Sequence, residues 1–207
     1  MRALVIFCHP QTGSYNAALR DQVLEKLRAA KAEIRLRDLY AERFSPVLEP
    51  HEHASYLDSP ANRAPVADHC DDVAWCDTLI FIYPTWWYGL PAMLKGWLDR
   101  VLLPDVAFFM PDADHKDIRP GLTHINRLGV FTTCGASWWL TALIGAPGRR
   151  QLMQGVGWLL PRGARKIFAA HYLMDASTPH TRARHLALVA TRMDRLIGPQ
   201  RKPAHDP

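Results

Sequence analysis

The chain has 207 residues, 48% hydrophobic and 22% charged, with a formal net charge of +5. Those proportions are ordinary for a globular protein and exclude a disordered chain, a collagen-like chain and a coiled coil. At about one domain per 150 residues the length predicts one domain, large enough to bury roughly 70% of its extended surface without disulfide staples. The charge is uneven: residues 1–148 sum to −3 and residues 149–207 to +8. A basic C-terminal third suits first a solvated helix face, then a site for a phosphorylated small molecule, and last nucleic acid.

Taken in chain order, Ala3 to Phe7 is a continuous apolar run, the pattern of a strand buried on both faces of a parallel sheet. A loop follows, and from Asn16 the spacing of Leu19, Val23, Leu24, Leu27 and Ala30 predicts a helix capped by Ser14. Ile34 to Leu39 alternates and reads as a second strand, then a Pro- and His-rich loop spans about 41–65. Val66 to Trp75 reads as a helix, and Leu79 to Tyr83 as a third strand stopped by Pro84. Pro91 suits the first turn of a helix bearing Leu94, Trp97, Leu98, Val101 and Leu102, which Pro104 ends. After a long loop region at 105–126, Leu128 to Thr132 reads as a fourth strand. Trp138 to Leu160 reads as helix broken near Ala146-Pro147-Gly148, Arg165 to Leu173 as a fifth strand, and Thr181 to Ile197 as the last helix.

Strands alternating with helices predict an α/β fold with one parallel sheet covered on both faces. Five strands fit the flavodoxin-like order 2-1-3-4-5, as one domain over residues 1–197 with a polar, disordered tail at 198–207. Ligands of such sheets lie beyond the carboxyl ends of the strands, so the loops after strands one, three and four are the candidate site.

The first of these loops, His9 to Asn16, joins a buried strand to a helix start. Its short polar residues Thr12, Ser14 and Asn16 suit phosphate or a plain capped turn. It has neither the Walker ending nor the GxGxxG fingerprint. The second, Pro84-Thr85-Trp86-Trp87-Tyr88-Gly89, places three consecutive aromatics in a loop. They cannot all face one core, and a flat π-ligand explains them. The third, Thr132-Thr133-Cys134-Gly135, combines hydroxyls with a glycine that admits close backbone approach. Together they describe phosphate at one end and an aromatic ring system at the other, the shape of a flavin.

Other features point elsewhere with less force. Cys8, Cys70, Cys76 and Cys134 lack the two-residue spacing of a zinc or redox motif. Scattered thiols suit a reducing compartment, hence the cytoplasm. The apolar start is short for a signal peptide, and Pro84, Gly89 and Pro91 interrupt the longest uncharged stretch, so no membrane insertion is expected. His51-Glu52-His53 has no third ligand in view, and no metal is expected. Arg149 and Arg150 suit a cofactor phosphate or a solvated pair.

His9-Pro10 with Ser14-Tyr15-Asn16, the segment Tyr83 to Val101, and Thr132-Thr133-Cys134-Gly135 together resemble the NAD(P)H:quinone oxidoreductase family of the DT-diaphorase type. The likeness runs over roughly residues 1–175. It implies a flavodoxin-like fold, tightly bound FAD or FMN with FAD favoured, NAD(P)H as co-substrate, and a homodimer. By position it assigns His9, Ser14, Tyr15 and Asn16 to the flavin phosphates, and Pro84 to Tyr88 to the ring. Thr132, Thr133 and Gly135 go to the ring's other edge, and Lys95-Gly96-Trp97 to packing.

The implied activity passes hydride from NAD(P)H through the flavin to a quinone or similar electrophilic aromatic acceptor. The alternative is a flavin-binding regulatory subunit of a membrane transporter; a strict electron carrier fits poorly with a basic chain. One departure stands out. Where such relatives carry a proton-relaying Tyr and His, this chain has Leu140 and Ala146, and Cys134 replaces a glycine. No catalytic side chain is therefore assigned, and Trp138 and Trp139 are expected as an apolar cover over the ring.

Overall fold

The computed structural model describes residues 1–198. The expected tail lies outside the described residues except for Gly198, which closes the last helix. Strands β1 (Arg2–Phe7), β2 (Glu33–Asp38), β3 (Thr78–Thr85), β6 (Arg127–Cys134) and β7 (Arg165–His171) form one sheet in the order β2-β1-β3-β6-β7, every neighbour parallel. The two-residue strands β4 (Phe108–Phe109) and β5 (Arg119–Pro120) pair as a separate antiparallel ribbon. Without them the order is the expected 2-1-3-4-5.

The central strands are buried because helices cover both faces. On one face α1 (Tyr15–Ala29) and α7 (Pro179–Ile197) pack Leu19, Val23, Val189 and Met193 against Val5, Phe7, Ile82 and Phe131. On the other, α3 (Ala67–Trp75) and α4 (Ala92–Val101) pack Val73, Leu94 and Trp97 against Leu4, Ile6 and Phe81. The chain leaves β1 and β3 toward opposite faces, which opens a crevice at their carboxyl ends.

Within α4, Lys95 pairs with Asp99 on the surface, whereas a Cβ at Gly96 would lie 2.2 Å from the Pro46 carbonyl oxygen. Only glycine lets the chain at 46 lie this close to the helix.

Several expected boundaries move. The third strand is not stopped by Pro84 but runs through it to Thr85, where β6 still pairs with it. Residues 41–65 contain α2 (Pro50–Ala54) and a 3₁₀ turn (Ala61–Val66). A capping box between Glu49 and Glu52 starts α2, and the buried Glu52 pairs with Arg100 of α4. That accounts for the His51-Glu52-His53 run. Pro91 stands just before α4 rather than inside its first turn. The fifth strand of the main sheet ends at His171, because Leu173 adopts a left-handed φ of 54°. The broken helix resolves into α5 (Trp138–Leu143), α6 (Pro147–Arg150) and a wider π-type turn (Gln151–Val156), with the break at left-handed Ala146.

Candidate functional site

The crevice is an open cleft of about 860 Å³. His9, Ser14, Tyr15 and Asn16 line one end; Pro84, Thr85, Trp86 and Trp87 line the other; Thr133 and Gly135 form the floor between them. Thr12 is exposed on the loop and is not part of the lining. Tyr88, Thr132 and Cys134 turn toward the opposite face of the sheet, into a small cavity that Thr85 also borders. The strand period of two explains the split, since neighbours on β6 face opposite sides.

At the first end most polar groups are already engaged, although the buried Asn16 Oδ1 has no hydrogen-bond partner. Ser14 Oγ accepts from the Ala17 N–H and caps α1. Asn16 Nδ2 donates to Thr133 Oγ1 at 3.0 Å, tying the helix start to β6. Tyr15 Oη donates to the Arg182 carbonyl at 2.9 Å and meets His185 Nδ1 at 3.0 Å. Tyr15 thus shows the cleft its ring, not a free hydroxyl.

Burial pushes the Tyr15 phenol up to about 12 and the His185 imidazole down to about 4, so both are neutral near pH 7. His9 Nδ1 accepts from the Gln11 N–H at 3.0 Å, and burial holds its imidazole below the ordinary value. A neutral ring accepting at Nδ1 carries its proton on Nε2. His9 Nδ1 also lies 3.2 Å from the Gln11 carbonyl, so what this end offers an anion is the first-turn N–H groups of α1 with the His9 ring beside them.

The second end carries strain. Gly89 N–H donates to the Trp86 carbonyl at 2.9 Å, while Trp87 (φ 49°) and Tyr88 (φ 62°) are both left-handed. Such a turn normally takes Gly or Asn, and each bulky residue held there costs about 1–2 kcal/mol. Trp87 is 96% exposed and Trp86 43%, so core packing does not repay that cost. Strain of this kind gathers at ligand clamps. On the floor, a Cβ at Gly135 would lie 2.7 Å from Asp175 Oδ2, so a side chain there would crowd both the carboxylate and the cleft.

Pattern reasoning missed Gln11, Met174 and Asp175 in the cleft, and Tyr83 and Tyr172 around the small cavity, where Arg149, a candidate from the sequence, also lies. Residues 172–175 follow β7, a loop with no polar or aromatic cluster to mark it. Among the described residues no group of three or more His, Cys, Asp or Glu is placed to hold a metal, and no helix is long and apolar enough to cross a membrane.

A family model described as a flavodoxin-like fold, Flavodoxin_2, matches residues 1–156, and the chain belongs to that family. It is 32% identical over 101 residues to an uncharacterized NAD(P)H oxidoreductase, YcaK, of Escherichia coli (strain K12); the match covers 48% of this chain and 52% of the relative. It is 31% identical over 123 residues to NAD(P)H dehydrogenase (quinone) 1 of Cavia porcellus, covering 52% of this chain and 45% of that one. The chain spans about half the length of these curated relatives. Among solved structures, Smu.1420 from Streptococcus mutans UA159 is similar with a TM-score of 0.80 and 27% identity, over 94% of this chain and 100% of that one.

Proposed function

We propose that this protein is a flavin-dependent NAD(P)H oxidoreductase that passes hydride to a quinone or similar electrophilic aromatic acceptor, with residues 1–197 acting as one flavin-binding unit. The carrying observation is the cleft itself: the start of α1 at one end and an exposed, strained aromatic turn at the other. The relatives' names support the reaction class.

A bound flavin supplies the hydride chemistry, taking two electrons from dihydronicotinamide and passing them on. The chain's own residues bind and orient. His9 and the first turn of α1 hold the phosphate. The turn at Trp86 to Tyr88 would hold the flavin ring through its backbone and its exposed indoles. Gly135 keeps the floor open, and Thr133 is fixed there by Asn16.

FAD is the favoured form. Behind Tyr15 a second groove of about 640 Å³ runs between β7 and α7, lined by Thr181, Arg184 and Leu188. The buried His171 and His185 line it too, and His171 Nδ1 and His185 Nε2 have no hydrogen-bond partner. That groove offers room and polar atoms for a nucleotide half beyond the flavin phosphate. Trp138 and Trp139 do not line the cleft as the expected cover; exposed on α5 with Leu143, at 64%, 62% and 76%, they support a homodimer. Four free, buried thiols support a cytoplasmic setting.

The test is the visible spectrum of the purified protein before and after anaerobic NAD(P)H, then after a quinone, with the released pigment identified by chromatography. A flavin band that bleaches and returns is the expected result. A protein that carries no flavin and takes up none overturns the proposal.

A further inference from the structure

Residues 118–174 contain no Asp or Glu but seven Lys or Arg. Arg119 pairs with Asp112, and Arg127 and Arg165 donate to carbonyls in the last turn of α7. Arg149 and Arg150 of α6 are placed differently. Both are exposed, and among the described residues neither guanidinium has a hydrogen bond or an ion pair. Arg149 lays its guanidinium 4.9 Å over the Phe168 ring, a stacking contact that uses its face and leaves its N–H edge. Two adjacent cations without a protein acceptor are disposed to meet an anion from outside.

They line a groove of about 330 Å³, together with Trp138 and Ala142 of α5 and Met153 and Gln154 of the π-type turn; among the described residues no carboxylate lines it. Its backbone is unusual. Gly145 (φ 92°) and Ala146 (φ 47°) are both left-handed, and Arg150 Nη1 lies against that bare turn, 3.5 Å from where a Gly145 Cβ would be. Left-handed alanine is unfavourable, and such strain gathers at ligand sites. Trp138 and Ala142, four residues apart on α5, share the groove face, whereas Trp139 and Leu143 form the next stripe of the helix.

Helix α6 is seated on the aromatic turn of the cleft. Gly148 N–H donates to the Tyr88 carbonyl at 3.3 Å, and a Cβ at Gly148 would lie 3.1 Å from the Gly89 carbonyl carbon. The groove therefore begins beside the turn that would hold the flavin ring, yet none of its residues lines the cleft itself. A ligand that engages both must be long, with its reacting ring in the cleft and its anion some way off. A dihydronicotinamide dinucleotide has that form. Of the two such dinucleotides, only NADPH carries a phosphate on its adenosine ribose.

We propose that the groove between α5 and α6 binds the 2′-phosphorylated adenosine end of NADPH, with Arg149 and Arg150 as the phosphate ligands that select NADPH over NADH; this rests on the oxidoreductase reading above. Two guanidinium groups match a phosphate dianion in charge and in fork geometry. The Trp138 indole offers the adenine a flat apolar face. NADH would leave both arginines solvated and gain nothing from them.

The experiment measures anaerobic bleaching of the flavin-loaded protein by NADPH and by NADH. The unaltered protein should prefer NADPH at least roughly tenfold in kcat/KM, and added salt should erode that preference. Arg149→Gln and Arg150→Gln, both at exposed positions, should each cut the NADPH-to-NADH ratio roughly tenfold, through KM rather than kcat. Arg150→Lys, which keeps the charge but not the fork, should retain part of the preference. A readout free of turnover is calorimetric titration with adenosine 2′,5′-bisphosphate against adenosine 5′-monophosphate. Only the bisphosphate should bind the unaltered protein, and the double variant should lose it. If NADPH and NADH serve equally, or if the double variant keeps the bisphosphate, the proposal is overturned while the oxidoreductase reading stands. The same holds if the variants spare both nucleotides and slow only a sulfonated quinone, since the pair would then serve the acceptor. A protein that takes up no flavin, or whose flavin neither nucleotide bleaches, overturns both.

Discussion

The two strand-to-helix turns that border the cleft are built on opposite terms. The turn after β1 is tied down by its side chains: Ser14 caps the helix, Asn16 Nδ2 is tied to Thr133, and Tyr15 is tied to α7, while the buried Asn16 Oδ1 is left without a partner. The turn after β3 holds two bulky residues in left-handed backbone and exposes Trp87 almost completely. The first would fold this way with or without a ligand, since Ser14, Tyr15 and the Asn16 amide N–H already have partners. The second carries a cost that the protein alone does not recover. A rigid anion cradle is thus set against a strained aromatic clamp, and the two respond differently to substitution.

The largest effect comes from removing what supports the second turn. Gly96 lets the chain at Pro46 lie against α4, the helix that the turn leads into. Gly96→Ala meets backbone atoms, which cannot swing aside. It should cost about 3 kcal/mol and lower Tm by roughly 10 °C in a thermal melt. An unchanged Tm would show that α4 shifts freely and that the turn does not depend on it.

Next is the pH response of the first turn. His185, which holds Tyr15, has its pKa lowered from 6.5 to about 4 by burial first and by His171 second. Between those pH values the unfolded chain binds the proton and the folded chain does not. The stability this neutral ring contributes is full above about 6.5 and is lost as pH falls through 4. His185→Asn keeps a donor near the Nδ1 position and should flatten part of that acid slope in urea titrations run across the range. The half-buried His69, lowered to about 4 as well, retains the rest. An identical slope in the variant would mean that His185 is not protonated on unfolding in this window.

Trp87→Gly probes the strain directly, with two effects of opposite sign. Glycine accepts the left-handed backbone, so the flavin-free protein should gain about 1 kcal/mol, or roughly 3 °C in Tm. Flavin should bind roughly tenfold more weakly for loss of the indole, as measured by fluorescence quenching. If stability and affinity fall together, the turn is not a strained clamp. Ser14→Ala is the smallest change. Loss of the cap should cost about 1 kcal/mol in stability. Flavin affinity should stay the same, because backbone N–H groups and His9, rather than the serine, face the phosphate. A large loss of affinity would make Ser14 a direct ligand.

Much of this was legible before any coordinates. The continuous apolar runs at Ala3 to Phe7 and Leu79 to Tyr83 identify strands covered on both faces, and their alternation with helices leaves the doubly wound sheet as the simplest packing. The Ser14 cap was readable from residue type and place, as was the break before Pro147. Helix α2 was not: Pro50 and two histidines look like loop until Glu52 is seen to pair with Arg100, a contact across 48 residues of sequence. Tyr15 shows the same limit. Its position suggests a phosphate ligand, but its hydroxyl is committed to Arg182 and His185 near the far end of the chain.

Sequence by itself determined the architecture and the three loops of the cleft, because hydrophobic period, caps and breakers are local properties that survive without knowledge of partners. Tertiary structure decided which atoms are free to act. Hydrogen-bond partners of buried polar groups come from distant segments, so only the folded chain shows that Tyr15 is engaged and that Tyr83 Oη is left unpaired. Likewise, only the fold brings Trp138 of α5 to the groove that Arg149 and Arg150 line.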